Sequence, residues 1–348
     1  MKVLFRIESG SSIGLGHLQR SLCLATALRK IDVESIFLGP DDQRSIQRVE
    51  RFGFVCETLE NVTHWTSEEI NLVVEIGTKD LCQVVVVDSP QVRLEYLAQL
   101  KEAGFFVVCR DDIASKHSFP CQMVVNGNAD AFELPYRTVS NDTMFLLGPE
   151  FMVLGEEYLV TPLRQTRKEV RNILILLGGT DQYELMPKIL KLLKGISESF
   201  HVTAIVGPFF HNHSSIQLES ESIGELVSLV VQPDSLLDFM CKADLAISAS
   251  GQTLYELARV GCPTIAIKTA DNQDGQYNAL KKMGVIWAAG DATGADNVIE
   301  SIEEAIETLV SDVDARARMS IAGQRLIDGK GAHRVAQAIY SEINEGNI

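Results

Sequence analysis

Apolar residues along this chain fall into two patterns. Short runs rich in Val, Ile and Leu alternate with stretches whose apolar positions recur about every three to four residues; the runs predict buried strands and the stretches amphipathic helices. Val3-Leu4-Phe5 opens as a strand, and Leu18, Leu22, Leu24, Ala25 and Leu28 mark a helix behind it. Further strands are predicted at 33–38, 54–56, 84–88, 105–109 and 123–125, with helices at 43–51, 67–77 and 94–103 among them. Thr66 or Ser67 suits the N-cap of the second of these helices. Val84-Val85-Val86-Val87 is the clearest buried strand, because an apolar run without alternation implies cover on both faces, as in a parallel sheet.

The same grammar restarts in the second half. Strands are predicted at 172–177, 202–206, 229–231, 245–248 and 263–267, and helices at 185–194, 235–242 (capped by Asp234), 254–260, 274–283 and 334–345. Between the halves lie Leu146-Leu147-Gly148-Pro149 and a polar stretch at 161–169 that suits a linker. Two sequential α/β halves predict two doubly wound, Rossmann-like domains facing across a cleft. The expected division is a domain at 1–150, a linker at 151–170 and a second domain at 171–348, with the last helix packing back on the first domain.

Composition narrows the partners. Lys and Arg number 31 against 47 Asp and Glu, a formal charge of −16. Nucleic acid and anionic membranes need phosphate-facing Lys and Arg, so neither is expected as a general partner; a phosphorylated small molecule needs only a local pocket. Seven Cys without a CxxC pair suggest buried free thiols in a reducing compartment. Met1-Lys2 leads directly into a strand with no signal peptide, and no apolar run reaches membrane-spanning length. The expectation is a cytoplasmic protein, a monomer or weak homodimer, that does not insert into membranes.

Three glycine-rich turns join a strand to a helix, at 10–17, 178–181 and 250–253. In open α/β sheets ligands bind beyond the carboxyl ends of the strands, where such turns lie. Gly14 and Gly16 allow a tight turn and close approach to a ligand, and the helix behind them offers unpaired amides and a positive dipole end to an anion. His17 stands at that helix start, where the dipole disfavours imidazolium, so a neutral ring able to accept a proton is expected. The turn is a weak match to a dinucleotide fingerprint, since Gln19 stands where a third glycine is wanted, and no P-loop or nucleophile-elbow motif is present. Glu256, in the first turn of the helix behind 250–253, suits the two hydroxyls of a ribose; a capping box with Gln252 or Thr253 explains the same spacing. Asn272 and Gln273 suit phosphate or sugar hydroxyls, or cap a helix. Asp88, Asp111 and Asp112 at strand ends suit sugar hydroxyls or a water, or simply form turns. His211-Asn212-His213 lacks partners at metal-ligand spacing, and neither a metal nor a cofactor is expected.

Taken together, these segments resemble the UDP-diacetamido-trideoxy-sugar hydrolases of pseudaminic acid biosynthesis, two-domain proteins of the GT-B type. Arg6, Ile13, Gly14, Gly16, His17 and Arg20 match that family's opening pattern at its spacing. Leu146–Pro149, Gly178-Gly179-Thr180-Asp181, the segment 243–256, and Ala270, Asn272 and Gln273 match its later parts in order. The chain departs from the family at Glu8, where Asp is usual, at Gly10, where Ser is usual, and at Ser89-Pro90, where an aromatic follows the strand-end Asp. The resemblance implies a GT-B hydrolase that releases UDP and a free amino sugar, with His17 as general base on water. Arg6, Glu8, Gly14, Gly16 and Arg20 would then contact the sugar. Gly178, Gly179, Thr180, Ser250, Gly251, Thr253, Glu256, Asn272 and Gln273 would hold the nucleotide. The alternatives are a GT-B glycosyltransferase moving the same sugar to an acceptor, and a non-catalytic nucleotide-sugar binder.

Overall fold

The computed structural model describes residues 2–10, 15–39, 42–59, 64–114, 119–136, 143–196, 200–294 and 297–344. The chain divides into two compact units, Met1–Leu159 with Gly329–Ile348, and Val160–Asp328.

In the first unit the elements run β1 (Lys2–Ile7), α1 (Gly16–Arg29), β2 (Glu34–Gly39), α2 (Gln43–Arg51), β3 (Val55–Thr58), α3 (Ser67–Lys79), β4 (Cys82–Asp88), α4 (Leu94–Glu102), β5 (Phe106–Arg110), β6 (Met123–Asn126), β7 (Met144–Leu147) and α5 (Glu156–Leu159). The seven strands form one parallel sheet in the order β3-β2-β1-β4-β5-β6-β7. Successive side chains of a strand point to opposite faces, which sorts each apolar run into two layers. Val3, Phe5 and Ile7 of β1 and Val84 and Val86 of β4 join a core under α1. Leu4 with Val85 and Val87 joins a second core under α3 and α4.

The second unit runs β8 (Asn172–Leu176), α6 (Leu185–Ile196), β9 (His201–Val206), α7 (His213–Ile223), β10 (Val227–Val231), α8 (Leu237–Lys242), β11 (Leu245–Ala249), α9 (Thr253–Val260), β12 (Thr264–Lys268), α10 (Asp274–Lys282), β13 (Ile286–Asp291), α11 (Val298–Ser311) and α12 (Val313–Leu326). Its six parallel strands are ordered β10-β9-β8-β11-β12-β13. The last helix, α13 (Gly331–Asn344), belongs to the first unit, where Val335, Ala336 and Ile339 are buried in the α1-side core.

Some elements differ from the periodicity. β7, β13 and α7 were not expected. The 11 residues of α7 bury only Ile216 and Ser220, too few apolar positions to print a helical repeat. α8 begins at Leu237 and its N-cap is Leu236, without a side-chain cap, so Asp234 is not its N-cap. Among the described residues, no helix is long and apolar enough to cross a membrane.

Candidate active site

In each sheet the first strand has its successor on one side and a later strand on the other. The crossovers therefore leave in opposite directions from a switch point, between β1 and β4 in the first unit and between β8 and β11 in the second. A crevice beyond the strand ends opens at such a point, and it is where open α/β sheets bind ligands.

At the first switch point, Asp88 ends β4 on the same face as Val84 and Val86, toward α1. Its carboxylate is fully buried and lies 2.7 Å from His17 Nδ1. Arg20 Nε donates to the other Asp88 oxygen at 2.7 Å, Arg20 Nη2 to the first at 2.5 Å, and Ser21 Oγ approaches at 3.3 Å. Burial alone would raise the Asp88 carboxyl, yet Arg20 and then His17 hold it well below the usual carboxylate range. An ionised carboxylate only accepts, so the Asp88 contact suits a proton on Nδ1, while Arg20 Nη2, which only donates, lies 3.0 Å from the same nitrogen. Three residues separate His17 from Arg20 on α1, so both reach one carboxylate from one helix face. The His17 side chain keeps 17% of its exposure.

Arg20 also grips Asp112 through Nη1, at 2.8 and 2.9 Å. Burial would lower this guanidinium, but Asp112 and Asp88 raise it well above its ordinary value. Arg110, aligned with Asp88 in the β4–β5 register, sits with Nε 3.8 Å from Asp88 Oδ2. It is 4% exposed, and its Nε and Nη1 make no hydrogen bond. Burial and the nearby Arg20 charge push it down to about 10, against Asp88 and Asp112.

The opposite parity of β1 sends Arg6 to the other face. Arg6 is 0% exposed. Its Nε and Nη2 pair with Glu69 at 2.7 and 3.1 Å, Nη1 donates to the Ile7 carbonyl at 2.6 Å, and Trp65 covers the guanidinium at 4.2 Å. Arg6 was expected to touch the sugar; wholly spent inside the α3–α4 layer, it organises the core instead. Arg20, 8% exposed, was likewise expected to touch the sugar; its guanidinium instead bonds Asp88 and Asp112 and lies 3.0 Å from His17 Nδ1. Glu8 stands just beyond β1, accepting from Trp65 Nε1 at 3.1 Å and from Ser89 Oγ. The two departures at positions 8 and 89 thus bond to each other. Gly16 opens α1, and no side chain caps that helix; Ile13 and Gly14 lie outside the described residues. Asp111 faces the α4 side and takes Tyr136 Oη and the Ala114 amide, a turn-forming role. Neither Arg110 nor Glu69 drew notice in the sequence. A cation closing the run Phe106-Val107-Val108-Cys109 was the available signal for Arg110; Glu69 carried none.

At the second switch point, the turns after β8 and β11 flank the crevice. Gly178 has φ +82°, open only to glycine without strain, and Gly178, Gly179 and Thr180 are exposed or half-buried. Asp181 turns away to cap α6 at the Leu185 and Met186 amides, at 2.8 and 2.9 Å. Gln182 reaches the Thr269 carbonyl at 3.1 Å, tying this turn to the loop after β12. Gly251, Gln252 and Thr253 are half-buried, and the α9 N-cap, Gln252, makes no capping bond through its side chain. Glu256 lies in the first turn, half-buried. Ser250 departs from expectation: fully buried, its amide and Oγ both bond the Ile267 carbonyl at 2.9 Å, so it cannot present them to a diphosphate. Gln273 holds the loop through the Thr269 amide at 2.8 Å, while Asn272 is exposed. Lys268, unremarked in the sequence, is 7% exposed between Asp274 and Asp291, each at 2.7 Å. No group of three or more His, Cys, Asp or Glu positioned for a metal occurs among the described residues.

The whole chain superposes on known architectures. A MurG crystal structure from Acinetobacter baumannii matches with TM-score 0.70 at 14% identity, covering 98% of this chain and 99% of that one. The fold is GT-B. A Staphylococcus aureus MnaA–UDP structure shares the GT-B likeness, with TM-score 0.67, 13% identity and coverage of 99% and 97%. Residues 173–335 match the glycosyltransferase family 28 C-terminal domain, which begins with β8 of the second GT-B unit. Among relatives, an uncharacterized protein of Methanocaldococcus jannaschii is 25% identical over 81% of this chain, which spans 59% of its length. The spore coat polysaccharide biosynthesis protein SpsG of Bacillus subtilis is 23% identical over 98% of both chains. The UDP-2,4-diacetamido-2,4,6-trideoxy-beta-L-altropyranose hydrolase of Campylobacter jejuni is 23% identical over 68% of this chain and 87% of its own.

Proposed function

We propose that this protein hydrolyses a UDP-linked diacetamido-trideoxy sugar, or a related amino sugar, to UDP and the free sugar, in the biosynthesis of a nonulosonic acid of the pseudaminic type. The observation that carries the reading is the His17–Asp88 pair. A buried carboxylate on Nδ1–H leaves Nε2 as a base in a partly exposed position, where a water molecule can reach it. The relatives named as a spore coat polysaccharide biosynthesis protein and as a UDP-sugar hydrolase add support.

In this reading the amides of Gly178–Thr180 and Gly251–Thr253 take the diphosphate, Glu256 accepts from the ribose hydroxyls, and Asn272 and Gln273 line the same side. Negative charge grows on the diphosphate as the bond breaks, and fixed amide dipoles stabilise it without rearranging. The sugar meets Glu8 and Gly16 in the first unit. His17 Nε2 takes a proton from water; the water oxygen bonds to the anomeric carbon, and the bond from that carbon to the phosphate oxygen breaks with its electron pair leaving on UDP. The proton on His17 then passes to solvent. General base catalysis of this kind contributes about 10²–10⁴-fold.

The match of residues 173–335 to a glycosyltransferase family favours a second reading, transfer of the sugar to an acceptor. A panel of UDP-amino sugars incubated without any acceptor separates the two. Hydrolysis gives UDP and free sugar in equal amounts; release of UDP only when an acceptor is added would make the protein a transferase.

A further inference from the structure

The charged groups near His17 are Arg20 on α1, Asp88 on β4, Arg110 on β5 and Asp112 just beyond β5. Cys23 follows on α1 as a buried thiol. Glu8, beyond β1, is turned to Trp65 and Ser89. With the ring neutral, two guanidiniums balance two carboxylates. Arg20 accounts for its own charge by bonding both carboxylates. Arg110 does not: it is buried, two of its nitrogens make no hydrogen bond, and its nearest carboxylate oxygen is 3.8 Å away.

A buried cation with unbonded nitrogens is costly, and an apolar side chain of similar volume usually serves packing better. Such a group is explained by the field it exerts. We propose that Arg110 is a positioning residue for His17, a buried cation behind Asp88 whose field opposes a positive charge on the ring. It touches no substrate. Arg20 keeps Asp88 ionised, and Arg110, 3.8 Å behind that carboxylate, offsets part of the attraction the carboxylate exerts on a protonated ring. When Nε2 takes a proton the cluster becomes net positive, and Arg110 hastens the return of that proton. Asp112 works in the opposite sense, as the carboxylate that offsets the pair of guanidiniums. The role as a base setter rests on the hydrolase reading; the electrostatics of the ring do not.

The test is a ¹⁵N-imidazole NMR titration of the full-length protein, with the His17 signals assigned from His17→Gln. Arg110→Gln should move the pH at which the ring takes up its proton upward by about one unit, the size expected for loss of a nearby like charge. Arg110→Lys, which retains the charge, should restore it. Asp112→Asn removes a negative charge and should move it downward, giving a second arm if Arg110→Gln does not fold. The acid limb of the UDP-release profile should follow the ring in each variant. A ring midpoint that stays in place in Arg110→Gln, or that moves upward in Asp112→Asn, overturns the proposal. If the midpoints move as stated while His17→Gln still releases UDP, the hydrolase reading fails and the role of Arg110 in the ring electrostatics stands.

Discussion

Asp88 and Arg6 lie on neighbouring strands, and a difference of one in parity gives them different work. Asp88 faces α1 and orients His17; Arg6 faces α3 and joins Glu69 in a closed pair with Trp65 and Tyr96. Removing one partner of a buried pair leaves the other charge uncompensated, at a cost of roughly 3–5 kcal/mol. Arg6→Met is therefore expected to lower stability by that amount in urea unfolding while leaving the affinity for UDP unchanged; loss of UDP binding in folded protein would put Arg6 back among ligand contacts. The carboxyls of Asp88, Glu69 and Asp244 are all held below their ordinary values in spite of burial, by Arg20, by Arg6, and by backbone amides with Arg167 respectively. A depressed folded-state value contributes stability that is present above the unfolded carboxylate range, about pH 4, and is lost as pH falls below it. The thermal midpoint should fall as pH drops below about 4, less steeply in Asp88→Asn; an acid slope identical in that variant would remove Asp88 from the account. His17 drew notice where a glycine-rich turn meets a helix, and Arg20 through the resemblance. Arg110, Glu69 and Trp65 were not, since their partners come from distant segments and meet only through the strand order.

Among the elements, the strands and their connecting turns place the chemistry. Their legibility tracked burial: the fully covered strands β1, β4, β8 and β11 announce themselves as unbroken apolar runs, whereas the mostly exposed helix α7 carries too few apolar residues to show its repeat. Turn geometry was legible in glycine, but the approach between turns was not. Gly207, after β9, has the carbonyls of Gly178 and Gly179 where a Cβ would be, at 2.3 and 2.8 Å. Gly207→Ala must push the Gly178–Thr180 turn, an overpacking strain of roughly 1–3 kcal/mol. Calorimetric titration with UDP should show weakened binding in that variant, and undiminished affinity would separate this turn from the diphosphate.

At the scale of the whole molecule, two parallel sheets each place a switch point beside a glycine-rich turn, and α13 closes the first unit by burying Val335, Ala336 and Ile339 in its core. The repeated strand–helix grammar made both sheets readable from the sequence. The last helix was expected to pack back on the first domain, while the division at Leu159 and Asp328 depends on contacts that no local pattern records. In the proposed reaction the His17 imidazole activates water against the anomeric carbon of a UDP-sugar. The most direct measurement is incubation of the full-length enzyme with a UDP-amino sugar alone in ¹⁸O-labelled water, beside His17→Ala. The account predicts UDP and free sugar in equal amounts, the label on the anomeric hydroxyl, and a loss of about 10²–10⁴-fold in His17→Ala with UDP affinity retained. Label on the UDP phosphate, or equal turnover in His17→Ala, would contradict it.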